Sequence, residues 1–151
     1  MKNKYFSHIS IFVFCLLFSS GCSFISVSLV PSVEPLRETT VSGSGKDKIL
    51  IIDISGIISE ERKRGLAGLS DEPDMVARIK EELETAAKDK YLKAIILRIN
   101  SPGGTVTASD MIYHEIEQFK KNTHIKIVAC IMDLGASGGY YVAVSADKII
   151  A

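Results

Sequence analysis

Cysteine is scarce in this chain of 151 residues: three occur, and two of them, Cys15 and Cys22, fall within the first 22 positions. Cys130 is left alone in the body, which excludes a disulfide framework and a Cys-rich zinc site. No metal and no other cofactor is expected. An excess of charge is missing too, since 18 Lys plus Arg balance 18 Asp plus Glu and no long run carries a single sign. Without a basic field there is little to attract a polyanion, so nucleic acid is not an expected partner. A full-length membrane span is also absent, because the apolar run Ile9 to Phe18, broken only by Ser10, falls short of the roughly 20 residues a spanning helix needs. What remains, 46% apolar and 24% charged, is the composition of a folded globular domain and not of a disordered chain.

Lys2 and Lys4, the short apolar run and the small-residue exit Ser19-Ser20-Gly21 read as an export signal over residues 1–21. Cleavage is favoured over an uncleaved anchor, although Phe24 to Val30 continues weakly apolar. Small residues directly before Cys22 are similar to a bacterial lipoprotein box, in which the thiol is acylated; Ser19 stands where that box usually has Leu, Val or Ile, so an ordinary thiol is the competing reading. Removing residues 1–21 takes two positive charges and leaves the chain at −2. Residues 22–46, with two prolines and Thr39-Thr40-Val41-Ser42-Gly43-Ser44-Gly45, have the composition of a flexible tether. Gly43-Ser44-Gly45-Lys46 is not a phosphate-binding loop, because Thr40 occupies the required glycine position and a strand follows it.

From residue 47 to 151, strand-length apolar runs alternate with helix-period segments. Ile49 to Ile54, Ala94 to Ile99 and Ile125 to Met132 are nearly continuous in Ile, Val and Leu, the pattern of parallel strands buried on both faces. After the start signal Ser70-Asp71-Glu72-Pro73, Met75, Ile79, Leu83 and Ala87 recur every fourth residue, which predicts a helix. Thr107 with Asp110 three positions on predicts a second helix start, with Ile112, Ile116 and Phe119 on its inner stripe. The order strand, helix, strand, helix, strand predicts an α/β fold around a parallel sheet.

Two glycine-rich segments fall in corresponding places after the second and third strands: Asn100-Ser101-Pro102-Gly103-Gly104 and Gly135-Ala136-Ser137-Gly138-Gly139. Loops at the carboxyl ends of neighbouring parallel strands line one crevice, the usual ligand position in such sheets. Glycines expose backbone N–H groups, and a helix opening after Ser137 adds more, so the pair describes an oxyanion hole beside a hydroxyl nucleophile. Singly, each has a plainer reading: Gly103-Gly104 as a strand-to-helix turn, and Ser137 as a packing residue or N-cap. The G-x-S-x-G spacing around Ser137 also fits the elbow of an α/β-hydrolase, but that fold needs an acid and a histidine after the serine, and no histidine follows.

Taken together, Ile52-Asp53-Ile54-Ser55-Gly56-Ile57-Ile58, Arg98-Ile99-Asn100-Ser101-Pro102-Gly103-Gly104, Ala136-Ser137-Gly138-Gly139-Tyr140-Tyr141 and Ala146-Asp147-Lys148-Ile149-Ile150-Ala151 resemble the N-terminal part of the bacterial signal peptide peptidase A family. That family consists of serine peptidases with the Clp protease and crotonase type of fold. The resemblance covers roughly Lys48 to Ala151. It implies that Ser137 is the nucleophile and that backbone N–H groups around Gly104 and Gly138, with Gly103 beside them, hold the oxyanion. It further implies that the substrate is peptide left after signal cleavage, that subunits assemble as homo-oligomers, and that the peptidase sits at the bacterial cell membrane, facing outside the cytoplasm.

The family's general base is a lysine, which serves only when neutral, a state that burial produces by lowering its pKa. It comes from a segment well past the serine, so the parallel sheet is expected to be incomplete at the C-terminus of this chain and the base to lie beyond Ala151. Lys148, the lysine that follows Ser137, is expected to face solvent. His8, His114 and His124 are expected to take no catalytic part. Cys130 reads as a core thiol, and Tyr140 and Tyr141 as packing for the helix after Ser137. Two function classes stay open: a membrane-tethered serine endopeptidase, and a noncatalytic remnant or lipoprotein module of the same fold.

Overall fold

β-Branched residues crowd the segments that become strands. The computed structural model describes residues 36–61, 63–64, 71–72 and 74–151. The expected export signal over residues 1–21 and the lipidation candidate Cys22 lie outside the described residues. Residues 36–47 are exposed and form neither helix nor strand. The chain then runs through β1 (Lys48–Ile58), β2 (Lys63–Arg64), β3 (Asp71–Glu72), α1 (Met75–Ala86), β4 (Leu92–Gly104), α2 (Val106–Thr123), β5 (Lys126–Gly135), α3 (Gly138–Ala143) and β6 (Lys148–Ile150). Strands β2 and β3 pair with each other. The others form one parallel sheet in the order β1-β4-β5-β6, which establishes the α/β class expected from the sequence. Among the described residues no helix is long and apolar enough to cross a membrane.

Both long helices are capped by residues other than those the sequence pattern singled out. Asp74 caps α1 by accepting the Ala77 N–H at 2.8 Å, and Thr105, not Thr107, caps α2 by accepting the Ala108 N–H at 3.2 Å. A side-chain oxygen satisfies an otherwise orphaned amide from three residues upstream, and Thr107 is already inside the first turn.

The core lies on one face of the sheet. Ile52, Ile54, Ile95, Leu97, Ile99, Ile127 and Ala129 point there and meet Ile79 and Leu83 of α1, Ile112 and Ile116 of α2, and Val142 of α3, all buried. Register aligns Ile52 with Leu97 and Leu97 with Ala129, so like positions stack across the sheet. The opposite face departs from the expectation of strands buried on both sides: its row Ile51, Ile96 and Val128 is only partly covered, and Met132 is exposed. Cys130, expected in the core, is half-buried on this second face beside Arg98. Continuous apolar runs do not reveal which face the local helices cover, and here all the described core packing uses one.

Candidate active site

Near their carboxyl ends the strands lose register. Opposite β1, one extra residue enters β4 between Asn100 and Gly103, and opposite β4, β5 steps from Ile131 to Gly135 while β4 advances from Ile99 to Ser101. Bulges of this kind re-aim the chain next to functional sites. The first is stabilised by Ser101, which is fully buried; its hydroxyl donates to the Gly56 carbonyl at 2.6 Å and accepts the Gly103 N–H at 3.0 Å. Gly103 itself has φ +100°, a conformation that L side chains rarely adopt. Gly104 then packs so closely on Ile58 that a Cβ there would lie 1.8 Å from the Ile58 carbonyl oxygen.

The second bulge delivers the elbow. Ala136 donates its N–H to the Ser101 carbonyl at 3.1 Å, and Ser137 adopts φ 49° and ψ −122° before the six-residue helix α3 opens. A serine held in such a region is strained by about 1–3 kcal/mol, a cost that clusters at active sites. Its side chain is exposed and makes no capping hydrogen bond, although Ser137 occupies the N-cap position. The plain reading of Ser137 as an ordinary cap therefore loses its main support.

The two loops meet as the sequence reading expected. A Cβ built on Gly103 would fall 2.7 Å from the Gly138 nitrogen and 2.8 Å from the Ser137 Cβ, and one built on Gly138 would fall 3.3 Å from the Gly104 nitrogen. Gly103, Gly104, Ser137 and Gly138 thus form one small cluster, with Gly104 exposed on the same surface as Ser137 and Gly103 buried beneath. Of the three glycines proposed as amide donors, Gly103 has its N–H already engaged by Ser101, which leaves its conformation as its contribution.

Other candidates lie elsewhere. His124 ends α2 as its C-cap, about 27 Å along that 18-residue helix from the Gly104 end at 1.5 Å per residue. His114 lies between, its Nδ1 at 3.0 Å from the Asp110 carbonyl. Lys148 is exposed and pairs in register with Val128, and the seven residues from there to Gly135 extend about 23 Å. It stands at the far end of the sheet from Ser137. Tyr140 and Tyr141, expected as packing, are both substantially exposed; Tyr141 donates to Asp110 Oδ1 at 2.7 Å and stacks on Tyr113 with ring centroids 4.9 Å apart. The carboxylate of Asp110 holds the Tyr141 phenol above its usual pKa. The Ser101 hydroxyl's bonds to Gly56 and Gly103 are a feature the sequence reading missed; its signal, a small polar residue two positions before a positive-φ glycine, is too common to single out.

A family model described as Clp protease matches residues 47–149. The chain is 36% identical over 107 residues to a chloroplastic serine protease SPPA of Arabidopsis thaliana. It is 32% identical over 120 residues to a putative signal peptide peptidase SppA of Enterococcus faecium, and 39% identical over 109 residues to Protease 4 of Haemophilus influenzae. These matches take in 71%, 80% and 70% of this chain but only 15%, 34% and 16% of the respective relatives. Among solved structures, a ClpP1 mutant of Listeria monocytogenes aligns with a TM-score of 0.47 at 22% identity, covering 64% of this chain and 46% of that one.

Proposed function

Because the chain belongs to the Clp protease family, we propose that it carries the nucleophile and oxyanion-binding part of a serine endopeptidase of the Ser–Lys type, acting on signal peptides or other membrane-associated peptides after export. The observation that carries this reading is the elbow: Ser137 is strained, exposed and free of capping duty, and it stands against the Gly103-Gly104 loop. The relative named as a putative signal peptide peptidase supplies the substrate class, and the one named Protease 4 agrees with a peptidase.

In the proposed reaction the Ser137 hydroxyl oxygen forms a bond to the scissile carbonyl carbon, and its proton passes to a neutral lysine amine. The carbonyl oxygen takes up the negative charge and accepts the N–H groups of Gly104 and Gly138, donors aimed at where that charge develops. Collapse breaks the C–N bond, with the lysine returning the proton to the leaving amine; water then releases the acyl group from Ser137. Lys148 is too remote for this proton transfer, and the family resemblance puts the base in a segment well past the serine, so the 151 residues by themselves are expected to be inactive or nearly so.

Export and tethering are part of the same proposal, through an acylated Cys22 or an uncleaved apolar segment, with the peptidase surface outside the cytoplasm and working in a homo-oligomer. Mass spectrometry of the mature amino terminus tests it: a lipid-modified Cys22 or a membrane-bound Met1 supports tethering, and an unmodified Met1 chain in the soluble cytoplasm overturns it. The chemistry is tested with a fluorophosphonate probe on a chain that includes the family's lysine segment. Labelling abolished by Ser137→Ala is expected, and labelling that survives this substitution names another nucleophile.

A further inference from the structure

We infer that Ser101 is a positioning residue, whose hydroxyl bonds both the Gly56 carbonyl and the Gly103 N–H and so holds Gly103 in the conformation that sets the Gly104 and Gly138 amides beside Ser137. The inference rests on the catalytic reading just given, but its structural half stands on the hydrogen bonds alone.

Along this edge of β4, Thr105 donates its N–H to the Ile58 carbonyl at 2.9 Å. Past the bulge the ladder resumes, with Ile57 paired to Gly103 and Ile58 to Gly104. At its first step the Ser101 hydroxyl bonds to both strands, accepting from Gly103 at 3.0 Å and donating to the Gly56 carbonyl at 2.6 Å. Ser101 is fully buried, so an unpaired polar group in its place would be costly. The same residue reaches the elbow through its backbone, where its carbonyl accepts the Ala136 N–H at 3.1 Å. Its Cβ also lies under the first turn of α3, 3.2 Å from where a Gly139 Cβ would be.

Three segments are thus bonded to one serine: the edge strand at Gly56, the glycine loop at Gly103 and the turn just before Ser137. An alanine at this position keeps the backbone bond to Ala136 but removes both hydroxyl bonds, to Gly103 and to Gly56. Gly103, with its φ of +100°, then loses the side-chain bond that ties it to the bulge, and the Gly104 amide that follows it is held less firmly beside Ser137.

The test compares the parent chain with Ser101→Ala by site-resolved amide hydrogen exchange, and measures the saturation rate of fluorophosphonate labelling in a chain that includes the family's lysine segment. Expected are at least about tenfold faster exchange at Gly103 with the Leu97 amide still protected, and labelling at least about tenfold slower at saturating probe. Unchanged exchange at Gly103 overturns the inference, whether or not the parent is labelled. Labelling within twofold of the parent, where Ser137→Ala abolishes it, overturns the positioning role while leaving the catalytic reading intact. Loss of protection at Leu97 together with Gly103 assigns Ser101 a general structural role and also overturns it. A parent that is not labelled at all speaks against the catalytic reading, and the exchange at Gly103 then decides the structural half by itself.

Discussion

A methyl group on Gly103 would fall 2.8 Å from the Cβ of Ser137, closer than real Cβ contacts allow. Two independent penalties therefore act on Gly103→Ala: the φ of +100° is strained for any L residue, and the new methyl meets the elbow at the Ser137 Cβ and the Gly138 nitrogen. The expected outcome is a stability loss of about 2 kcal/mol or more and loss of probe labelling in the lysine-bearing protein. Gly104→Ala is expected to be worse for folding, because its methyl would lie 1.8 Å from the Ile58 carbonyl and force β1 from β4. Chemical denaturation of both variants, with labelling in parallel, checks the order.

Tyr141 bridges α3 to α2 through Asp110, and the carboxylate raises the phenol's pKa by accepting a hydrogen bond from its protonated form. An absorbance titration of tyrosinate is expected to show a component appearing above pH 10 in the parent. It should be missing in Tyr141→Phe and return toward the ordinary range in Asp110→Asn. A parent curve identical to that of Asp110→Asn would mean that the bond is not made in solution.

On the partly covered sheet face, Asp53 and Arg98 sit opposite each other in register, with Nε donating to Oδ1 at 2.5 Å and Nη2 to Oδ2 at 2.6 Å. The guanidinium lowers the Asp53 pKa below its ordinary value. Both side chains are about half exposed, so solvent and salt screen the pair. Asp53→Asn is expected to cost less than about 1 kcal/mol in dilute buffer and less still in molar salt. A larger, salt-independent loss in denaturant titrations would show that the face is buried against something in solution.

Much of the architecture could be read from residue order. The Ile-rich segments at 49–54 and 94–99 each lie in a strand, the Ile125 to Met132 run does so from Lys126 on, and the fourfold spacing of Met75, Ile79 and Leu83 marks α1. The strands extend further than their apolar runs, because Ser55-Gly56 and Asn100 to Gly104 look like turn residues while the backbone continues through them as bulges. Ser137 and the glycines stood out because their chemistry is local and repeated at two strand ends. Ser101 did not, since its role depends on Gly56, 45 residues away in the chain. Which sheet face would be covered was also illegible, because Ile51 and Ile52 are equally apolar and differ only in which side of the pleat they occupy.

Asp147 and Ile127 exchange two hydrogen bonds where β5 begins: the Asp147 N–H donates to the Ile127 carbonyl, and the Ile127 N–H donates to Asp147 Oδ2, both at 2.8 Å. The backbone donor, helped by Lys126, favours the ionised carboxylate and lowers its pKa below 3.8. A carboxyl with a lowered folded-state pKa stabilises the fold above its unfolded value and loses that contribution as pH falls through the folded one. Asp147→Asn keeps an oxygen acceptor for Ile127 but has no proton to gain, so its deficit relative to the parent, about 1 kcal/mol at pH 6, should shrink as pH falls below 3.8. Asp147→Ala removes the acceptor altogether and should stay less stable than Asp147→Asn across the whole range. Urea denaturation of the three proteins at closely spaced pH values gives the comparison. A parent-minus-Asn difference that stays constant from neutral pH down to about pH 2 would show that the carboxylate is not held by Ile127 in the folded state.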